Sequence, residues 1–154
     1  MRYGSQNLYR RILAAICIWC GLTAFAFPAG AIDESELEGC ESIAALLSAE
    51  MSADAPYICK VAFAATLLHR VESPQFPDSI GGVILEYGSF PSVRDGRYFT
   101  ATPDQTALAA ARDALLGADP TSGALYCFHA DEEIALRRPY MEKTFAAGKY
   151  VFYR

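Results

Sequence analysis

The run PYICKVAFAATLLHRV (Pro56–Val71) constrains this chain more than any other feature. Its apolar residues do not keep to one stripe but go nearly all round a helical wheel. A helix of that kind has no face to give to water and must be the buried centre of a fold. Pro56 suits its first turn, where a missing N–H costs nothing. His69 reads as a core histidine with its polar atoms satisfied, and Arg70 as a structural ion-pair partner.

Other segments must wrap that centre. SELEGCESIAALLSAE opens with Ser35 and Glu38 at capping-box spacing and predicts a helix, with a start nearer Glu41 left open by Gly39. It ends around Met51–Asp54, because Pro56 restricts Ala55. SPQFPDS is a loop, SIGGVILEYG a short helix ending at Gly88, and SFPSVRDGRYFTA a long turn-rich loop. TPDQTALAAARDALLG predicts a helix with Thr102 as cap, Pro103 at the first helical position, Gln105 completing the box and Gly117 as the stop. ALYCFH and the run Tyr150–Tyr153 are aromatic and strand-like. Helices first and a small, late, antiparallel sheet make an α+β chain with segregated parts.

The N-terminus reads differently. MRYGSQNLYRR is basic without an acid, ILAAICIWCGLTAFAF is sixteen residues without a charge, and PAGA brings a proline and small residues at Ala29 and Ala31. That order predicts a signal peptide over residues 1–31, cut after Ala31. An uncleaved anchor is the alternative, but the apolar run is shorter than the roughly 20 residues a spanning helix needs. Cys17 and Cys20 lack the small residue that precedes a lipoprotein cysteine. The expected mature chain, 32–154, is one domain of 123 residues, extracytoplasmic and free of the membrane. Without the three leader arginines it carries 10 basic against 18 acidic residues, a net of −8. Nucleic acid is excluded as a partner, since phosphates call for a basic face. The five acids between Asp33 and Glu41 read as a solvated face. Cys40, Cys59 and Cys127 are odd in number, so at least one is unpaired unless chains cross-link. None of these three stands in a C-x-x-C pair, and two histidines sixty residues apart make no convincing metal site, so no cofactor is expected.

Glu50 is the anomaly in the first helix. It lies seven residues after Ile43 and four after Leu46, on the same apolar stripe. A carboxyl group there is costly unless it is paired, protonated or lining a cleft.

Ala49–Glu50, PYICKVAFAATLLHRVESPQFPDSIGGVI, SFPSVRDGR, DPTSGALYCFH and the closing YVFYR together resemble the SleB-like cell wall hydrolases, the family of spore cortex-lytic enzymes, over about 110 residues in one colinear run. The resemblance implies a lysozyme- or lytic-transglycosylase-like fold, in the short form without a separate peptidoglycan-binding domain. It implies cleavage of peptidoglycan glycan strands in spore cortex or wall, with an accessory spore or wall protein as a possible partner. The family's motif A-E-A-R-G-E aligns its catalytic glutamate with Glu50. Here the segment reads AEMSAD, with Ser52, Ala53 and Asp54 in the following places.

A proton must reach the leaving oxygen as positive charge grows at the sugar carbon, and an apolar setting keeps a carboxylic acid protonated for that task. Hydrolases with two carboxylates set them about 5–5.5 Å apart for retention or about 6.5–9.5 Å for inversion. Asp54, Asp95 and Glu86 are the second candidates, and none is marked strongly. A lytic transglycosylase avoids the need, because the muramic acid C6 hydroxyl attacks in water's place. Hydrolysis is the close alternative, and a glycan-binding protein without catalysis is a third. The candidate substrate-contacting residues are Asp54, Phe90, Asp95, Arg97, Tyr126 and His129. Phe90, Tyr98, Tyr126 and Phe128 are candidates to stack on sugar rings, with packing in the core as the competing role.

Overall fold

The computed structural model describes residues 34–130 and 140–154, and side chains from Leu37 onward. The expected signal peptide and its cleavage site lie outside the described residues. Among the described residues six helices come first: α1 Glu34–Glu50, α2 Tyr57–Glu72, α3 Ile80–Leu85, α4 Pro91–Asp95, α5 Arg97–Thr100 and α6 Gln105–Leu115. Strands β1 Tyr126–His129, β2 Lys143–Ala147 and β3 Tyr150–Tyr153 follow. Among the described residues no helix is long and apolar enough to cross a membrane.

α2 is the centre, as its all-round apolarity requires: nine of its sixteen residues are buried. It packs against α6 and α3, and strands β1 and β2 also touch it. Helix α6 also packs on α1, and it meets both partners with alanines (Ala107, Ala110, Ala111, Ala114), all buried. Small side chains let the helix axes approach closely, while Ile43, Leu46 and Leu47 of α1 and Leu67 of α2 fill the space between. Lys60 lies inside this core at 4% exposure. Its ammonium donates to Thr106 Oγ1 at 2.7 Å and reaches Asp104 Oδ2 at 3.5 Å, which is how a buried charge is tolerated.

Expected helix boundaries move, and one expected loop is helical; α3, expected to end at Gly88, ends at Leu85. Pro56 is the N-cap of α2, in extended conformation, rather than its first helical residue. Asp104, two residues after the expected cap Thr102, caps α6 by accepting from the Ala107 N–H at 2.7 Å. The expected loop from Ser89 is instead two short helices, α4 and α5, joined by Gly96 at φ 87°. Pro91 starts α4, and Gly96 makes the left-handed corner that a residue with a Cβ resists.

The sheet has the order β1-β3-β2, antiparallel throughout. Tyr126 pairs with Tyr153 and His129 with Tyr150 across β1 and β3. β2 was not expected as a strand; it pairs with β3 with an irregularity between Lys143 and Phe145. Phe152 is fully buried and anchors the sheet on the helical core. Cys40 and Cys59 are free thiols. Burial pushes the Cys40 and Cys59 thiols up, so both stay protonated as small core residues.

Candidate active site

Glu50 is the last residue of α1 and is half-buried on the stripe of Ile43 and Leu46, which are 1% and 0% exposed. Its Oε1 accepts the backbone N–H of Ser92 at 2.7 Å. Ser92 lies in the first turn of α4, where N–H groups have no partner within their own helix. The carboxyl group of α1 thus satisfies one of the orphan donors of α4 and fixes the angle between the two helices. Among the described residues Oε2 of Glu50 takes no hydrogen bond.

Two more contacts define the surroundings. Helix α1 has no basic residue in its last turn, and Arg97 of α5 supplies the missing cation by donating from Nη1 to the Ala49 carbonyl. Arg97 is itself held by Asp95, through Nε at 3.0 Å from Oδ2. On the other side, the Ser52 N–H donates to the Tyr150 hydroxyl at 3.1 Å. The Tyr150 ring lies 5.0 Å from the ring of His129. The end of α1 is therefore clasped between the α4–α5 corner and the exit of the sheet.

The structure brings together Glu50, Arg97, Asp95 and, through Tyr150 and Ser52, His129. Asp54 lies just past the helix end and is exposed, its carboxyl held below the usual range by the Ser52 hydroxyl. Asp95 is exposed too, and the Arg97 N–H draws its carboxyl down. Both stay ionised at neutral pH, so neither is a proton donor. Phe90 and Tyr126 belong to another cluster. Phe90 is 8% exposed against Phe63, 6.0 Å between ring centres, and has no free face for a sugar; it is a core residue. Tyr126 lies parallel to Phe128 on β1 and edge-on to Phe76.

Arg70 makes no ion pair among the described residues, contrary to expectation. Its Nε donates to the Leu125 carbonyl at 2.7 Å, and its guanidinium faces the rings of Phe76, Phe90 and Tyr126. The nearby loop explains the change, because it offers aromatic faces instead of a carboxylate. His69 is satisfied as expected: Nδ1 lies 3.0 Å from the Ala124 carbonyl oxygen and Nε2 3.3 Å from Asp119 Oδ2. Ser92 and Tyr150 are the site residues that sequence reasoning missed. A backbone donor carries no side-chain signature, and Tyr150 stands among aromatics that read as strand filling. Among the described residues no three His, Cys, Asp or Glu side chains gather as a metal would require.

The site is thus a helix-end glutamate held by one oxygen, on a helical core closed by a small antiparallel sheet. The family described as Cell Wall Hydrolase matches residues 54–153, and the chain belongs to that family. Glu50 stands four residues before the matched segment. The chain is 43% identical over 100 residues to the spore cortex-lytic enzyme of Halalkalibacterium halodurans, and 40% identical over 100 residues to that of Bacillus subtilis. Those residues are 63% of this chain but only 29% and 32% of the two relatives, so the match spans about a third of their length. Among solved structures, the catalytic domain of the Bacillus cereus SleB protein matches with TM-score 0.67 and 35% identity, over 76% of this chain and 91% of that one. The catalytic domain of the germination-specific lytic transglycosylase SleB from Bacillus anthracis matches with TM-score 0.67 and 34% identity, over 76% and 95%.

Proposed function

We propose that this chain is an exported enzyme that cuts the glycan strands of peptidoglycan, in spore cortex or cell wall, as a lytic transglycosylase with Glu50 as general acid and then base. The observation that carries the reading is the asymmetry of Glu50: Oε1 fixed on the Ser92 N–H, Oε2 without a protein partner among the described residues. Glu50 gives its proton to the glycosidic oxygen as the bond from the anomeric carbon breaks. The C6 hydroxyl of the muramic acid then bonds to that carbon, and its proton passes to the Glu50 carboxylate. The acid is regenerated, no water is consumed, and the product ends in a 1,6-anhydro ring. One carboxyl suffices for both steps, in keeping with Asp54 and Asp95 being solvent-facing and ionised. Arg97, tied to the Ala49 carbonyl, steadies the end of α1 rather than acting on the sugar. The signal peptide over 1–31 and release after Ala31 belong to the same proposal.

Mass analysis of peptidoglycan digested by the purified protein tests the reading. Anhydro-muramoyl ends are expected. Reducing ends one water heavier indicate hydrolysis at the same site. Digestion of neither cortex nor vegetative wall overturns the enzyme reading and leaves a glycan-binding protein.

A further inference from the structure

Arg70 stands outside the chemistry described above, yet it is the least expected side chain in the molecule. It is a permanent charge at 9% exposure. Of its five N–H donors, only Nε has a partner among the described residues, the Leu125 carbonyl. Neither Nη atom is hydrogen-bonded there, and neither belongs to the fully covered polar atoms, so both remain in touch with open space. Arg70 lines a half-enclosed cavity of about 60 Å³ together with Phe63, Thr66, Leu67, Ser89, Phe90 and Cys127. The guanidinium lies 5.1, 5.3 and 5.6 Å from the ring centres of Phe76, Phe90 and Tyr126, which hold its plane in place.

We propose that this cavity is an anion site, in which the free fork of Arg70 takes a carboxylate of the substrate. The assignment of that carboxylate to peptidoglycan rests on the cleavage reading; the site itself does not. A guanidinium presents two parallel N–H groups at the spacing of carboxylate oxygens. The cavity admits a group of that size and is too small for a sugar ring. Arg70 itself is nine-tenths buried, which strengthens a pairing there and makes an unpaired charge costly. The anchored cation is also poised beside the catalytic apparatus: Ser89 and Phe90 line the cavity, and Ser92, two residues on, holds Glu50. Glu86 is the built-in competitor. Its attraction reaches Arg70, but it forms no ion pair with it, being tied instead to the Ser89 hydroxyl at 2.6 Å. In peptidoglycan the carboxylate comes from a lactyl group that carries no peptide or from a stem peptide.

The test is a titration of the full, ¹⁵N-labelled chain, read at the Arg70 Nε–Hε resonance, which its bond to Leu125 protects from exchange. Sodium acetate is the probe, at constant ionic strength in chloride, with acetamide as the neutral isostere. A saturable shift with acetate and none with acetamide is expected. Glu86→Gln removes the competitor and tightens acetate several-fold. Arg70→Lys keeps the charge without the fork and weakens it about ten-fold or more; should that variant not fold, the wild-type titration decides. A shift that stays linear in acetate, or that acetamide reproduces, overturns the site. N-acetylmuramic acid and an alanyl-isoglutamate dipeptide then tell lactyl from stem carboxylate, with N-acetylglucosamine as the neutral sugar. If neither competes with acetate, the peptidoglycan assignment is overturned. None of these readouts needs turnover, so failure of the cleavage assay is distinguishable from failure of the site.

Discussion

Replacing Glu50 by glutamine and by alanine separates the two tasks of its carboxyl group. Glutamine keeps an oxygen where Oε1 accepts the Ser92 N–H at 2.7 Å, so the tie between the two helices is retained. Stability should change by about 1 kcal/mol or less. The amide has no proton to give at neutral pH, so cleavage should fall by about 10²–10⁴, equivalent to about 3–5 kcal/mol of barrier. Alanine costs the same activity and more besides. Ser92 is 0% exposed, so its N–H is left without water or acceptor, at about 1–3 kcal/mol. For a domain of this size each kcal/mol lowers Tm by about 2–8 °C. Release of soluble muropeptides measures the first effect and a thermal melt the second. The expected pattern is equal inactivity with unequal melting, the alanine variant several degrees below glutamine. Glu50→Gln cutting at close to the wild-type rate would refute the assignment of the acid. Equal melting of the two variants would refute the claim that Oε1 ties α1 to α4.

Two other perturbations address the scaffold. Asp104→Ala removes the cap on the Ala107 N–H and one neighbour of the buried Lys60 ammonium, at a cost of about 0.5–2 kcal/mol in urea unfolding; Asp104→Asn, which keeps an accepting oxygen, recovers most of the cap term. Burial raises the Asp119 carboxyl, but the Thr121 hydroxyl and N–H, His69 and the Gly123 N–H outweigh it and hold the group below 3.8. The unfolded chain therefore binds that proton more readily, and the stabilisation is complete above about pH 4 and lost as pH falls through the depressed value. Urea midpoints compared at pH 6 and pH 3 should drop less in Asp119→Asn than in wild type.

Where one segment's own chemistry decided its structure, the sequence was enough. The all-round apolarity of Pro56–Val71 announced a buried helix, and the terminator Gly117 stands at positive φ just after α6, whereas α3 ends at Leu85, before Gly88. Thr102 and Asp104 are both good caps, two residues apart, and only the packing of α6 against α1 and α2 picks the second. Helices α4 and α5 were illegible for a different reason. Five and four residues do not nucleate a helix alone. They are held from outside, α4 by Glu50 on the Ser92 N–H and α5 by Arg97 on the Ala49 carbonyl. β2 has alanines where a strand shows alternation, and its conformation comes from pairing with β3. In the site, Glu50 was visible because it breaks its own stripe. Ser92 and Tyr150 act through contacts 42 and 98 residues away in sequence, which no local pattern encodes.

The strand order β1-β3-β2 has a consequence for when the site comes into being. The strand latest in sequence is the middle one, so β1 and β2 have no neighbour to pair with until residues 150–153 arrive. The same four residues deliver the Tyr150 hydroxyl to Ser52, beside Glu50. A ribosome reading this message makes the acid a hundred residues before it makes the clasp that steadies the acid's helix end. Assembly is thus a completion check: a copy clipped or stalled before Tyr150 carries Glu50 but not the hydroxyl that holds Ser52 just past the end of its helix.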